Sequence, residues 1–588
     1  MRLRSWLPTS GKVLAGLVIV IVFALVAILG PMVAQYGPRA SGPEILAPPS
    51  GAHWFGTTQT GQDVFAQFVY GARVSLAVGV FAGVVSQVVS IVVGVIGGYF
   101  RGLVDDAMYI LTAVFLVMPG MPLLIVLTGY LPSRGMISVA VVIAITSWAG
   151  SARVLRAQTM SLRRRDFVEA ARATGESRVR IIVSEIMPNA LPLIASGFLF
   201  SVITGILSEA GLSFLGLGSL TSTSWGTMLY FAQNAQAFLI GAWWWFVPPG
   251  LAIAIIGAGL ALINFGIDEY ANPRLRTGKS RAKSAPAPLA AATSVEEPRP
   301  DVPDQEPQIR PGGSQADPVI EVAGLTVDYD TAEGRVHAVK DVSLTVRRGE
   351  LLGLAGESGS GKSTLTNTIT RLLRPPAEVT GGSVTYHRRG TGAQQEPVDL
   401  LHLPADELRA FRWTELSIVF QSAMNALNPV LRVAAQFDDV LRVHRPQMRP
   451  TARLELARTM LTRVGIDPER VSAYPHELSG GMKQRVAIAI ALVCDPDVIV
   501  MDEPTTALDL LVQREVLDQV MALQEEFGFA IIFTTHDLSL LLEVSDTIAV
   551  MQQGRLVEYG AAMDVYTDPR HPYTQALLRS LSDLGALV

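Results

Sequence analysis

Apolar and polar positions follow two different rhythms along this chain. Up to about residue 277 the apolar residues form long, almost uncharged runs, near 13–34, 74–98, 107–130, 136–157, 190–214 and 244–266. A helix needs roughly 20 such residues to cross a hydrocarbon layer of about 30 Å. The pattern therefore predicts six membrane-spanning helices, the first of them a span rather than a cleaved leader. Pro119, Pro122, Pro192, Pro248 and Pro249 lie in or beside these runs and predict bends. From residue 318 onward the apolar runs are short, as at 346–354 and 498–501, and alternate with helical patterns, which predicts an α/β domain. Residues 278–317 are rich in Ala, Pro, Ser and charge and lack apolar periodicity, so they read as a disordered linker. The expected division is thus a transmembrane domain at 1–277, a linker at 278–317 and an α/β domain at 318–588.

Composition supports the division. Of 588 residues, 49% are hydrophobic and only 17% charged, against about 25% charged in soluble proteins. The net charge of −5 averages a balance of +6 over residues 1–277 with −11 over the remainder. Neither value marks a nucleic-acid binder, and the hydrophobicity excludes a disordered protein. The single cysteine, Cys494, excludes an intrachain disulfide or a four-cysteine cluster built by this chain alone and reads as a core thiol. Lys and Arg crowd the N-terminus, the 159–188 loop and the segment after the sixth run, while 215–243 has none. Both ends and the 159–188 loop are therefore expected on the cytoplasmic side. Trp243, Trp244 and Trp245 are expected at the opposite interface as an anchor. Glu209, ionisable within the fifth run, is expected either on a pathway or at the wet outer end.

The 159–188 loop predicts a short helix of unusual slimness. Asp166 reads as its N-cap with Glu169 completing a capping box, Ala170, Ala171 and Ala173 keep it thin, and Gly175 ends it. Such a helix suits a groove on another domain.

The second half carries nucleotide chemistry. A strand pattern runs into Gly356-Glu357-Ser358-Gly359-Ser360-Gly361-Lys362-Ser363-Thr364, a P-loop, in which glycines let backbone N–H groups wrap phosphates at a helix start. Lys362 would reach the outer phosphates and Ser363 would hold Mg²⁺. A buried strand ends in Asp502 and Glu503, suited respectively to the metal and to activating the attacking water. Ser479-Gly480-Gly481 opens a further helix and forms a second anion cradle.

These strings resemble bacterial ABC importers. Glu169-Ala170-Ala171 with Gly175 is similar to the Glu-Ala-Ala loop of importer permeases. The segments around 53–76, 209–218 and 224–226 resemble the peptide/nickel permeases, closest to the second permease of dipeptide and oligopeptide systems. Residues 318–588 resemble the ABC ATPases, and 424–429 and 571–578 their oligopeptide branch. The resemblance implies a six-helix type I importer permease joined to an ABC ATPase, importing small peptides with ATP and Mg²⁺ across the bacterial cytoplasmic membrane. It implies that the Ser479 cradle closes on ATP held by an opposite subunit. It makes Gln421 the glutamine near metal and water, Asp509 a residue crossing the dimer interface, and His536 the histidine on the γ-phosphate, with Tyr329 the candidate for stacking on adenine. Implied partners are a second permease of different sequence, a second ATPase and an extracytoplasmic binding protein. Nickel complexes or another small solute are the alternative cargo. An exporter or an ATP-driven membrane regulator is the alternative class, although exporters lack the short loop.

Overall fold

The computed structural model describes residues 11–130, 135–219, 221–271, 307–310, 312–331, 334–389, 397–420, 423–504 and 510–585. The chain forms two compact units. One comprises Met1–Arg163 with Ile186–Ala290, the other Arg164–Glu185 with Ala291–Val588. The segment Arg164–Glu185 therefore belongs with the C-terminal half, although membrane helices flank it on both sides in sequence.

The first unit holds three helices long and apolar enough to cross a membrane, Gly11–Val33, Val64–Tyr99 and Trp243–Ile267, and the part beyond Glu185 of a fourth, Arg178–Phe214. Two helix pairs pass the same test only when taken together. Leu103–Val117 and Gly120–Gly129 meet at 90°, and Met136–Ser147 and Ala149–Leu162 at 41°. The described residues thus carry four spans, or up to six if each bent pair is one. The first break falls where Pro119 follows Met118, because the residue before a proline is pushed out of the helical region and Met118 is extended. The second has no proline. There Thr146 Oγ1 donates to the carbonyls of Val142 and Ile143, and Ser147 Oγ donates to that of Ile143. Such hydroxyls compete with the helix ladder and bend it. Pro192, Pro248 and Pro249, in contrast, lie inside single helices.

The Val64–Tyr99 helix is the hub of this unit. Its buried face includes Ala72, Ser75, Gly79, Ala82, Gly83, Ser86, Ser90 and Gly94, small residues that let neighbouring helices come close. Gly11–Val33 instead exposes Leu14, Val18, Ile21, Leu25 and Ile28, an apolar face suited to lipid. Two expectations change here. Of the tryptophan triplet only Trp243 is exposed; Trp244 donates its indole N–H to the Thr57 carbonyl and Trp245 is buried, since the helix starting there turns two of three consecutive side chains inward. Glu209 is not open to water. It is buried and accepts hydrogen bonds from Ser75 Oγ at 3.0 Å and Ser213 Oγ at 2.8 Å, so it ties two helices together.

The second unit contains a seven-stranded sheet in the order Gln308–Ile309, Arg555–Ala561, Thr547–Gln552, Leu351–Ala355, Ala530–Thr534, Val498–Asp502, Leu416–Val419. Its central strands pair in parallel. They are buried along their length, as expected where both faces are covered. An antiparallel sheet of Gly334–Arg347, Pro318–Thr331, Ala377–Tyr386 and Val398–Asp399 adjoins it in the same hydrophobic core. Cys494 is buried there, and burial pushes its thiol up to about 11.

The end of the expected linker needs correction. Residues 278–306 and 311 lie outside the described residues, but the last stretch before 318 is ordered. Gln308–Ile309 pairs in parallel with the 555–561 strand, and the Arg310 guanidinium meets the buried carboxylate of Glu558 at 2.9 Å. Two residues of edge pairing and one ion pair vanish in a composition average taken over forty.

Candidate functional site

The P-loop rises from the buried strand Leu351–Ala355 and turns into the helix Lys362–Ile369. Gly361 takes φ +102°, a left-handed conformation that costs a side-chain-bearing residue and that glycine adopts freely. As N-cap it has no side chain to satisfy the first N–H groups, which are left as donors for an anion. Lys362 is buried, and its Nζ donates to the carbonyls of Gly356 at 2.6 Å and Glu357 at 2.9 Å. Burial lowers its pKa, while the carboxylates of Glu503, Asp502 and Glu357 work in the opposite direction.

Asp502 ends the next strand but one, beyond Ala530–Thr534, and is drawn into two hydrogen bonds. Thr534 Oγ1 donates to its Oδ1 at 2.5 Å, and Ser363 Oγ at 3.3 Å. Burial raises its pKa, and Glu503 adds to the rise; the two hydroxyls oppose it. Ser363 and Asp502 offer the hard oxygen ligands that Mg²⁺ takes. Ser360 Oγ is buried with no hydrogen-bond partner among the described residues, so a polar group remains to be met within the loop that would cradle phosphates.

Glu503 sits at φ +45°, where a residue with a side chain is strained. Its N–H donates to both the carbonyl oxygen and Oγ1 of Thr534, at 3.0 and 3.1 Å. Its carboxylate Oε1 lies 3.8 Å from Nδ1 of the exposed His536. Tyr329 stands beside the same helix, its hydroxyl 3.4 Å from Thr364 Oγ1. The structure thus brings Tyr329, 356–364, Asp502, Glu503 and His536 to one end of the sheet. Gln421 and Asp509 lie outside the described residues. Ser479, Gly480 and Gly481 form a separate helix start, whose Ser479 Oγ accepts from Met482 N at 3.3 Å. Among the described residues it makes no hydrogen bond or ion pair to the P-loop.

The Arg164–Glu185 segment fills a groove in the same unit. Its helix runs over Asp166–Ala173 with Arg165, not Asp166, at the N-cap, and no side chain caps it. The expected capping box is absent because Asp166 is already the first helical residue, which puts Glu169 one position too far along, and Glu169 instead pairs with Arg374. Gly175 ends the helix as expected, at φ +84°. Glu176 N donates to Ala171 O and Gly175 N to Arg172 O, the paired bonds of a Schellman turn. Val168 and Ala173 are fully buried. Phe167, Ala170 and Ala171 of the segment face Trp413, Leu427 and Ile490 across a small cavity left at this contact. Its rim is polar. His444 Nε2 bonds the Thr174 carbonyl at 2.8 Å, Asn428 bonds Glu185, and Arg180 bridges Glu176 and Asp439. Burial raises the carboxyl of Asp439 to about 7; the nearby Glu185 and Glu176 push the same way, and Arg180 opposes them.

Sequence reasoning missed several of these participants. Thr534, which holds the Asp502 carboxylate and the Glu503 backbone N–H, lies two residues before His536, and its place in that string was the available signal. Asn428, Asp439 and His444 carry no local mark of a rim role.

Comparison with known proteins agrees with this geometry. Residues 339–506 match the ABC transporter family, and residues 90–277 match the family described as binding-protein-dependent transport system inner membrane component. The oligopeptide transport ATP-binding protein OppD of Escherichia coli is 42% identical over 275 residues, which is 46% of this chain and 78% of that protein. The dipeptide transport ATP-binding protein DppD of Bacillus subtilis is 40% identical over 269 residues, 45% of this chain and 77% of that protein. The oligopeptide transport ATP-binding protein AmiE of Streptococcus pneumoniae is 39% identical over 269 residues, 45% and 73% respectively. The chain belongs to the ABC transporter family, and it carries in one polypeptide a binding-protein-dependent permease domain and an ATPase domain that hydrolyses ATP to drive transport.

Proposed function

We propose that the chain is half of a peptide importer of the bacterial cytoplasmic membrane, with the domains 1–277 and 318–588 and with its termini and ATPase in the cytoplasm. The observation that carries the reading is the segment 164–185, which is flanked by membrane helices in sequence yet seated in a groove of the ATPase unit. This gives nucleotide chemistry a mechanical grip on the permease. The names of the relatives support peptides as cargo.

In this reading Lys362 and the N–H groups of 359–364 hold the ATP phosphates. Tyr329 stacks on adenine. Ser363 and Asp502, with Gln421, hold Mg²⁺, which when bound neutralises charge on the transferred phosphoryl group. Glu503 takes the proton of the attacking water, and His536 contacts the γ-phosphate. The separate Ser479–Gly480–Gly481 cradle serves ATP held by a second ATPase, across an interface that Asp509 crosses. Closure on two nucleotides draws the 169–175 helices together and turns the permease outward; hydrolysis releases it. A differential affinity of ATP for the closed state is what drives the change. A second permease, most simply a different chain, and an extracytoplasmic binding protein complete the assembly.

The test is uptake by lipid vesicles holding the assembled complex. Labelled di- to pentapeptides should enter only with ATP, Mg²⁺ and the binding protein present. Outward movement, or uptake indifferent to the binding protein, overturns the proposal.

A further inference from the structure

The tail string His571-Pro572-Tyr573 has no part in the reading above, yet it reaches the nucleotide loop. Tyr573 is buried in the ATPase core, and its hydroxyl accepts the Glu357 N–H at 3.2 Å. That N–H and the Gly356 carbonyl belong to one peptide group, which is planar and turns as a unit. The carbonyl side of the plane accepts from Lys362 Nζ at 2.6 Å. One rigid amide therefore has the tail tyrosine on one edge and the P-loop ammonium on the other. Turning the plane moves the ammonium.

The tyrosine is itself held. Its own N–H donates to His571 Nδ1 at 3.2 Å, and the N–H groups of His571 and Arg570 donate to Glu558 Oε2 and Oε1 at 3.1 and 3.0 Å. Glu558 is fully buried and also takes the Arg310 guanidinium, at the end of the stretch that leads from the permease. Burial raises the phenol to about 12, so the hydroxyl stays neutral and keeps its acceptor role at any physiological pH.

We infer that Tyr573 is a positioning residue for ATP binding, setting through the Gly356–Glu357 peptide where the Lys362 ammonium sits. It touches neither nucleotide nor metal. The inference rests on Lys362 binding phosphate, as proposed above.

The test is Tyr573→Phe in the full chain, assembled with its partners in lipid, which removes one oxygen and keeps the ring. The KM for ATP should rise roughly three- to tenfold, the range of one hydrogen bond, while kcat at saturating ATP changes less than about twofold. Hydrogen exchange of the peptide containing Glu357 should quicken in the variant, and exchange of the 498–502 strand should not. An unchanged KM, a loss confined to kcat, or unchanged exchange at Glu357 overturns the inference. Exchange in the unaltered protein gives a check that needs no variant: a Glu357 amide as fast as an open loop amide refutes the bond. Lys362→Ala, run in parallel, separates the two readings. If that variant binds ATP normally, the phosphate role of Lys362 fails, whatever Tyr573→Phe does.

Discussion

The nucleotide site and the docking groove lie in one unit and are built on opposite plans. The nucleotide site draws most of its groups from two contiguous strings, 356–364 and 498–503, with Thr534 and His536 added by the strand between their parents. The groove assembles Phe167, Glu176, Leu427, Asp439, His444 and Ile490 from distant stretches of chain. Chemistry on a phosphate needs atoms placed to within tenths of an ångström, which short loops at the ends of rigid buried strands supply. Docking needs a shape and a rim, which can be collected from anywhere. The difference teaches that catalysis and coupling in this chain are separable, and substitutions should separate them.

The largest effect is expected at Glu503. Glu503→Gln should keep ATP binding and lower turnover by at least about a hundredfold, the usual contribution of a positioned base. Phosphate release and nucleotide binding measured on the same preparation check it. Near-normal turnover in a complex with no other active site would remove the assigned role. The groove should be untouched, so protection of 164–185 from proteolysis should not change.

Gly175→Val strikes the other region. A β-branched residue at φ +84° is strained by roughly 1–3 kcal/mol, and its Cβ would lie 2.6 Å from Arg409 Cγ. Peptide uptake should fall about tenfold or more while ATP binding stays within about twofold. Full uptake would mean that the segment does not transmit, and lost ATP binding would mean that the two regions are not separable.

The smallest effect concerns acidity at the rim. Asp439 is raised from an ordinary carboxyl to about 7 in the folded unit, facing Arg180, Arg442, Glu176 and Glu185. Between about pH 4 and 7 the unfolded chain has released this proton and the folded chain still holds it. The folded state then binds more protons, so stability falls as pH rises through that window and levels off above it. Asp439→Asn should flatten the fall, seen as a melting temperature that varies less between pH 4 and 7. An equal slope in both proteins would place the titration elsewhere.

Legibility in the sequence follows the same division. The helix start at Gly361, the strand end at 502–503 and the glycine at 175 are local devices, and each is set by backbone geometry within a few residues. The reading of Asp166 as a cap failed because the helix begins one residue earlier, a shift that the local pattern does not mark. The bend near Ser147 went unseen because hydroxyls that fold back on a helix leave no break in apolar periodicity. The ordered stretch at 308–310 was hidden because a two-residue edge strand has no pattern of its own.

The sequence by itself determined the elements: apolar runs long enough for lipid, buried strands short enough for a parallel sheet, and the glycines that let backbone N–H groups face phosphate. Tertiary structure alone decided the company those elements keep. It assigned 164–185 to the ATPase unit, buried Glu209 between Ser75 and Ser213, and set Tyr573 against the peptide that holds Lys362. Backbone preference and hydrophobic period act over a turn or two and are written locally. Hydrogen bonds between distant residues exist only once the chain has closed on itself, so their choice of partner is a property of the fold.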